Sequence, residues 1–395
     1  MTLVHKLQSR LTRVTSSGKV IGEIDGLRFV AIVPVIIFHV RNYLIVKPVT
    51  SYSIPVTQDW TARLGQRGHY GVQLFFIISG FVLALPFASH HLKRLPTVDL
   101  KKYFIRRLTR LEPPYIIAMI GCFLMLVMLR GEVDSLLPHL AAGLGYLHSL
   151  IYGFDNPINL VTWSLEIEVQ FYLLVPLLAT VFAIRRPALR RSFVCVLCIL
   201  ISFGQILFMP TVGRLSLSIV NYLQYFLAGF LFADLYLNEL KEWASRRHPV
   251  WDLISIIGWP LLVLICAWTN VARVLFAPLA VFLFCAVFSG RLTNRIFTNR
   301  WITVVGGMCY TIYLIHFQII SATERLIGEL SWTSSFGLNL LLHLGVLAPI
   351  LLVSSAIYFI LIERPCMTRN WPRSLKAKAL AVFSRPRDLG NVEGT

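Results

Sequence analysis

Arg28 and His39 stand eleven residues apart in the apolar stretch GEIDGLRFVAIVPVIIFHVRN, residues 22–42. A charged arginine at the centre of such a span costs about 2.5–3.5 kcal/mol on insertion scales, so ionisable groups retained there point to function. The two side chains offer different chemistry. A guanidinium grips phosphate oxygens bidentately, whereas an imidazole titrates near neutrality and moves protons. Two further titratable groups interrupt apolar stretches, Glu168 in WSLEIEVQFYLLVPLL and His316 in YTIYLIHF. A second cationic set, Arg106, Arg107 and Arg110, sits in KKYFIRRLTRLEPPY. Together the two sets suggest a phosphate-bearing donor bound at one end of a helical bundle and proton transfer further in.

The elements that position these groups must be membrane spans. The chain has 395 residues, of which 56% are hydrophobic and 14% charged, with a mean hydropathy of +0.69. Soluble domains carry about 25% charged residues, so the composition indicates an all-α polytopic integral membrane protein. Apolar runs of about 17–25 residues fall near 27–46, 71–88, 114–130, 163–184, 193–210, 216–237, 251–269, 271–289, 301–321 and 338–361. That predicts ten transmembrane helices. The run 136–152 is shorter and carries His139 and His148; it is expected to be interfacial or re-entrant.

Charge fixes the expected orientation. Of 37 Lys and Arg residues, 28 fall on one side of this alternation and eight on the other, with Arg28 itself inside the first span. The positive-inside rule then places both termini in the cytoplasm. The net charge of +18 is explained by topology, and no nucleic-acid partner is expected. Residues 1–20 are read as a basic cytoplasmic segment followed by a retained anchor, 21–366 as the membrane domain, and 367–395 as a polar, disordered cytoplasmic tail. Seven cysteines form no secreted-type framework, and neither Cys195 and Cys198 nor the scattered histidines make a metal motif. No metal is expected.

Helical rise estimates depth. At 1.5 Å per residue, His39 lies roughly 18 Å above the cytoplasmic surface of a core about 30 Å thick, and Glu168 and His316 each lie near 22 Å. Three groups from distant parts of the chain thus converge on one level. Ser79 is at mid-depth in its span, beside Gly80, a small residue suited to close helix contact. Glu166, two residues from Glu168, should face the other side of its helix. Simpler roles exist for each: a membrane histidine bonding a neighbouring helix, a buried acid paired with a cation, arginines that only set orientation.

Six pieces in order, IDGLRFVAIVPVIIFHV, GVQLFFIISGFVL, FIRRLTRLEPPY, WSLEIEVQFYLLVPLL, GGMCYTIYLIH and IERP, resemble the membrane-bound acyltransferase family 3 proteins, which O-acylate bacterial surface and secreted glycans. The resemblance runs from about Gly22 to Pro365. It implies an acyl-CoA donor, acetyl-CoA by default, and a hydroxylated acceptor such as a surface polysaccharide or lipopolysaccharide. It implies residence in a bacterial inner membrane, with Arg28 near the coenzyme phosphates and His39 catalytic. It also implies Arg107 and Arg110 at the donor, Glu168 and His316 in catalysis, and Tyr172, Tyr310 and Tyr313 lining the site, where Ser79, from its mid-depth position, is expected as well. Gln73 stands where many relatives have Asp, Val169 where a second Glu is common, and Cys309 where Ser is frequent. The hydrolase-like domain fused to some relatives is not expected here.

The mechanism expected is general-base catalysis by neutral His39 on an acceptor hydroxyl, with Glu168 orienting or stabilising the imidazole. An acyl-histidine intermediate is the variant. The rival from another class is a proton-coupled transporter with His39, Glu168 and His316 as relay. Transporters usually carry paired broken helices, and the sequence displays none.

Overall fold

Aromatic and aliphatic stretches become helices that pack around an arginine-lined cavity. The computed structural model describes residues 10–14, 20–46, 52–208, 212–327 and 333–368, and among these the regular structure is entirely helical. The expected tail 367–395 lies outside the described residues except for Met367 and Thr368, as does most of the segment 1–20.

Helix α1 (Gly22–Val46) opens with Glu23 and Asp25 in its first turn, where carboxylates suit the positive end of a helix. It packs against α2 (Gly71–Lys93) and against most of the C-terminal half. Helix α3 (Leu100–Arg130) starts where the Asp99 side chain accepts the Lys102 backbone N–H at 3.0 Å. It carries Pro113 and Pro114, which remove two ladder donors. Backbone oxygens in this stretch also accept from tyrosines, Leu111 from Tyr310 Oη at 2.8 Å and Pro114 from Tyr358 Oη at 2.5 Å. The run after α3 forms two short helices, α4 (Val133–Leu144) and α5 (His148–Tyr152); it is too short to be a span.

Helices α6 (Trp163–Leu178), α7 (Pro187–Phe208), α8 (Leu223–Leu235), α9 (Val250–Ile265) and α10 (Thr269–Ser289) follow. The core between α2, α6 and α8 is phenylalanine-rich: Phe171 stacks on Phe226 with ring centres 4.0 Å apart, and Phe76 lies 4.7 Å from Phe226. Exposed Phe193, Val196, Leu200, Phe203 and Leu207 leave α7 with an apolar outer face suited to lipid. Gly80 and Gly229 let α2 and α8 touch backbone to backbone; a Cβ at Gly80 would overlap the Phe226 carbonyl, and one at Gly229 the Ile77 carbonyl. Gly80→Val is therefore expected to cost about 1–3 kcal/mol or more through overpacking. Thermal unfolding in detergent measures it, and an unchanged Tm would refute the contact.

Two helices are broken. Helix α11 (Arg300–Gly307) turns by 70° at Met308 into α12 (Cys309–Ile327), and the segment Leu223–Arg246 meets α9 at 114°. Seven described helices are each long and apolar enough to span a membrane, or up to nine if each bent pair is one span. The expectation of ten takes the runs 216–237 and 251–269 as two spans; they fall largely within the pair of helices bent by 114°. Helix α13 (Phe336–Tyr358) is pinned to α12 by His343 Nδ1 against Glu324 at 2.7 Å and continues into a π-helical turn, Phe359–Glu363.

Candidate active site

Arginines from three segments meet on one cavity. Its volume is about 140 Å³, and its lining includes Arg13, Arg28, Arg107, Arg110, Ser79, Ser164, Glu168, Tyr172, Cys309, Tyr310, Tyr313 and Glu363. Asp25, one turn before Arg28 on α1, organises the charged end. It accepts Arg28 Nη1 at 2.7 Å and Arg13 Nε at 2.9 Å. Gly306 allows this approach, since a Cβ there would overlap the Asp25 carbonyl. Arg107 lies over the rings of Tyr103 and Tyr172, 5.9 Å from each centre. Arg110 Nε is buried without a hydrogen-bond partner, which is costly unless something else meets it. Arg106, from the same basic run, is exposed and does not line the cavity.

The middle of the cavity is a carboxylate relay. Glu168 Oε1 accepts from Ser79 Oγ at 2.8 Å and from Tyr172 Oη at 2.6 Å. Glu166 turns away, as helical geometry requires, and accepts the Ser149 backbone N–H at 2.8 Å. Glu363 enters the lining from the π-helical turn and is held by Thr311, a placement in keeping with π-turns at functional positions. Deeper in, Tyr313 Oη meets Ser164 Oγ at 2.6 Å and donates to the Val161 carbonyl at 3.1 Å.

One helical turn beyond Tyr313, His316 faces His39 with ring centres 5.1 Å apart. His316 Nδ1 is 2.8 Å from the Tyr313 carbonyl oxygen and 3.2 Å from that of Ile312. Carbonyl oxygens only accept, so Nδ1 carries the proton and Nε2 is left with its lone pair. Nε2 is buried and has no protein partner. Phe38 and Phe317 complete the rings around His39. Neither histidine lines the cavity; Tyr313, which does, has its ring centre 5.6 Å from that of His316.

The structure therefore brings His39 and His316 together, and separately gathers Arg28, Arg107, Arg110, Ser79, Glu168, Tyr172, Tyr310 and Tyr313 on the cavity. Glu168 makes its hydrogen bonds with Ser79 and Tyr172, although equal depth with the histidines was expected. The count of rise from Trp301 to His316 assumed one straight helix, which the 70° break replaces with two directions. Gln73 is buried off the cavity and Cys309 is on it. Arg13, Asp25 and Glu363 were missed. The first passes for a loop charge and the second for a helix-start acid, and only the IERP piece hinted at the third.

Outside this region His139 Nδ1 and His148 Nε2 are 2.9 Å apart. Burial and the neighbouring His139 ring hold His148 below the usual histidine range. Among the described residues no group of three or more His, Cys, Asp or Glu side chains could hold a metal ion.

Comparison with known proteins bears on this geometry. An acyltransferase domain family matches residues 21–360. Over 335 residues the chain is 25% identical to the peptidoglycan O-acetyltransferase OatA of Listeria monocytogenes, covering 78% of this chain and 50% of that protein. Over 330 residues it is 26% identical to the O-acetyltransferase OatA of Staphylococcus aureus, covering 75% and 50%. The chain thus spans about half the length of these curated relatives. No solved structure matches.

Proposed function

Because this chain belongs to the acyltransferase domain family, we propose that its cavity takes the acyl end of an acyl-CoA and that it transfers the acyl group to a hydroxyl of a surface glycan. The observation that carries this reading is the charge of the cavity: four arginines line it, one with an orphaned buried Nε. Acetyl is the group named for both OatA relatives. A cavity of about 140 Å³ is smaller than the roughly 300–1,000 Å³ of pockets that enclose a whole drug-sized ligand. It suits the thioester end, with the nucleotide outside against the arginines and the exposed Lys101, Lys102 and Arg106.

On this proposal neutral His39 removes the acceptor hydroxyl proton as oxygen attacks the thioester carbon. The carbon–sulfur bond breaks, and the same proton returns to the leaving thiolate. His316 Nε2, with a free lone pair beside His39, orients that ring or shares its proton. Glu168 holds Ser79 and Tyr172 along the thioester path, and Tyr313 is the residue the acyl group must pass to reach His39. Donor entry from the cytoplasm, with the arginine end facing inward in a bacterial inner membrane, follows from the loop-charge asymmetry.

The broken α11–α12 pair favours a second reading, since discontinuous helices also build transporter sites. The test separates them. Mass spectrometry of surface glycans, with and without the gene, should show one acyl group per repeat gained with it, and labelled acetyl-CoA should supply the label. A glycan that gains no acyl group, with movement of a solute across vesicles instead, would favour transport.

A further inference from the structure

Arg13 lies outside the matched family region, which begins at residue 21, yet it reaches the cavity. The segment that carries it is tethered to the bundle. Leu11 is buried in the main core, and the Val14 backbone N–H lies 3.4 Å from Met367 Sδ. Between these anchors Arg13 rests against Gly307 at the helix break, 10% exposed, with Nε on Asp25 at 2.9 Å. The charges around it do not balance. Four arginines line the cavity, against the lining carboxylates Glu168 and Glu363 and Asp25 behind them. Even with all three acids ionised, one positive charge remains in a place where unpaired charge is costly. Arg110 Nε, buried without a hydrogen-bond partner, lines the same cavity.

We propose that Arg13 is a donor-binding residue: held by Asp25 on the cavity lining, it binds the phosphate-bearing part of the donor alongside Arg28. Binding an anion there offsets the excess positive charge. This inference rests on the acyl-CoA reading above.

The test is direct binding of coenzyme A, and separately of pantetheine, which lacks the nucleotide phosphates, to the purified full chain. Charge-assisted hydrogen bonds set the scale. Arg13→Ala should weaken coenzyme A binding about 10- to 100-fold and erase most of its advantage over pantetheine. Arg13→Lys, which keeps the charge without the fork, should lose less. Asp25→Asn should reduce the same advantage, and if that variant fails to fold, Arg13→Ala still leaves the Asp25–Arg28 pair intact. Equal weakening of both ligands with a lowered Tm would mean that Arg13 only holds the segment, and would overturn the proposal. Wild-type chain that does not bind coenzyme A would sink the donor reading and this inference together. Wild-type binding that Arg13→Ala leaves untouched would sink this inference alone.

Discussion

Replacing His39 with alanine is expected to lower the rate of acyl transfer by about 10²–10⁴-fold, the usual share of a general base. The protein should still insert and fold, because His39 is half-buried among aromatic rings on α1 and its loss leaves no charge behind. Turnover of labelled acetyl-CoA, with Tm as the folding control, measures both. The comparison with His316→Ala sharpens the assignment. His316 is tied by Nδ1 to carbonyls of its own helix, so a supporting role predicts a smaller loss than at His39. The reverse order would make His316 Nε2 the base and His39 its partner. Full activity in His39→Ala would remove imidazole catalysis from the mechanism.

The second large effect is expected at Arg28. Its guanidinium lines the cavity and shares Asp25 with Arg13. Arg28→Ala should raise KM for acetyl-CoA about 10- to 100-fold, with a smaller change in kcat, because it removes binding that ground and transition states share. Stability must be followed alongside, since deleting one partner of a buried ion pair can cost about 3–5 kcal/mol. Arg13 remains on Asp25 and limits that cost. Arg28→Lys, which keeps charge but not the bidentate fork, should fall between. A variant in which kcat alone dropped would place Arg28 at the reacting atoms instead of the phosphates.

What could be read from the chain before folding was mostly what periodicity and charge encode. Apolar run lengths located the long helices, and the eleven-residue step from Arg28 to His39 set one group near a helix start and the other well inside. The small size of Gly80 at mid-span signalled a close helix contact, though not that its partner is α8. Three things were out of reach for physical reasons. The break at Met308 directly follows Gly306 and Gly307, but glycines are common in unbroken transmembrane helices and the run has no proline, so the pair alone fixed no bend. The bend alters the level at which α12 delivers His316. The role of Arg13 depends on a tertiary return of a polar segment, which loop-charge counting treats as solvent-exposed. The dense basic run gave no sign that Arg107 and Arg110 turn inward while Arg106 faces out; helical phase separates them only once the partner helices are known.

The arginines line the cavity while His39 and His316 lie off it, His316 one helical turn beyond Tyr313, and on the proposed function this separation has an electrical consequence. Each elementary charge moved across a bilayer exchanges about 2.3 kcal/mol with a potential of 100 mV. If the donor's phosphates stay at the arginines and only a neutral acyl group advances, transfer moves no net charge through the field. The reaction is then electroneutral, and an energised membrane neither drives nor opposes it. On the proposed function, an acyl group would be delivered across the low-dielectric core on its own thioester free energy, leaving the ion gradients of the cell untouched.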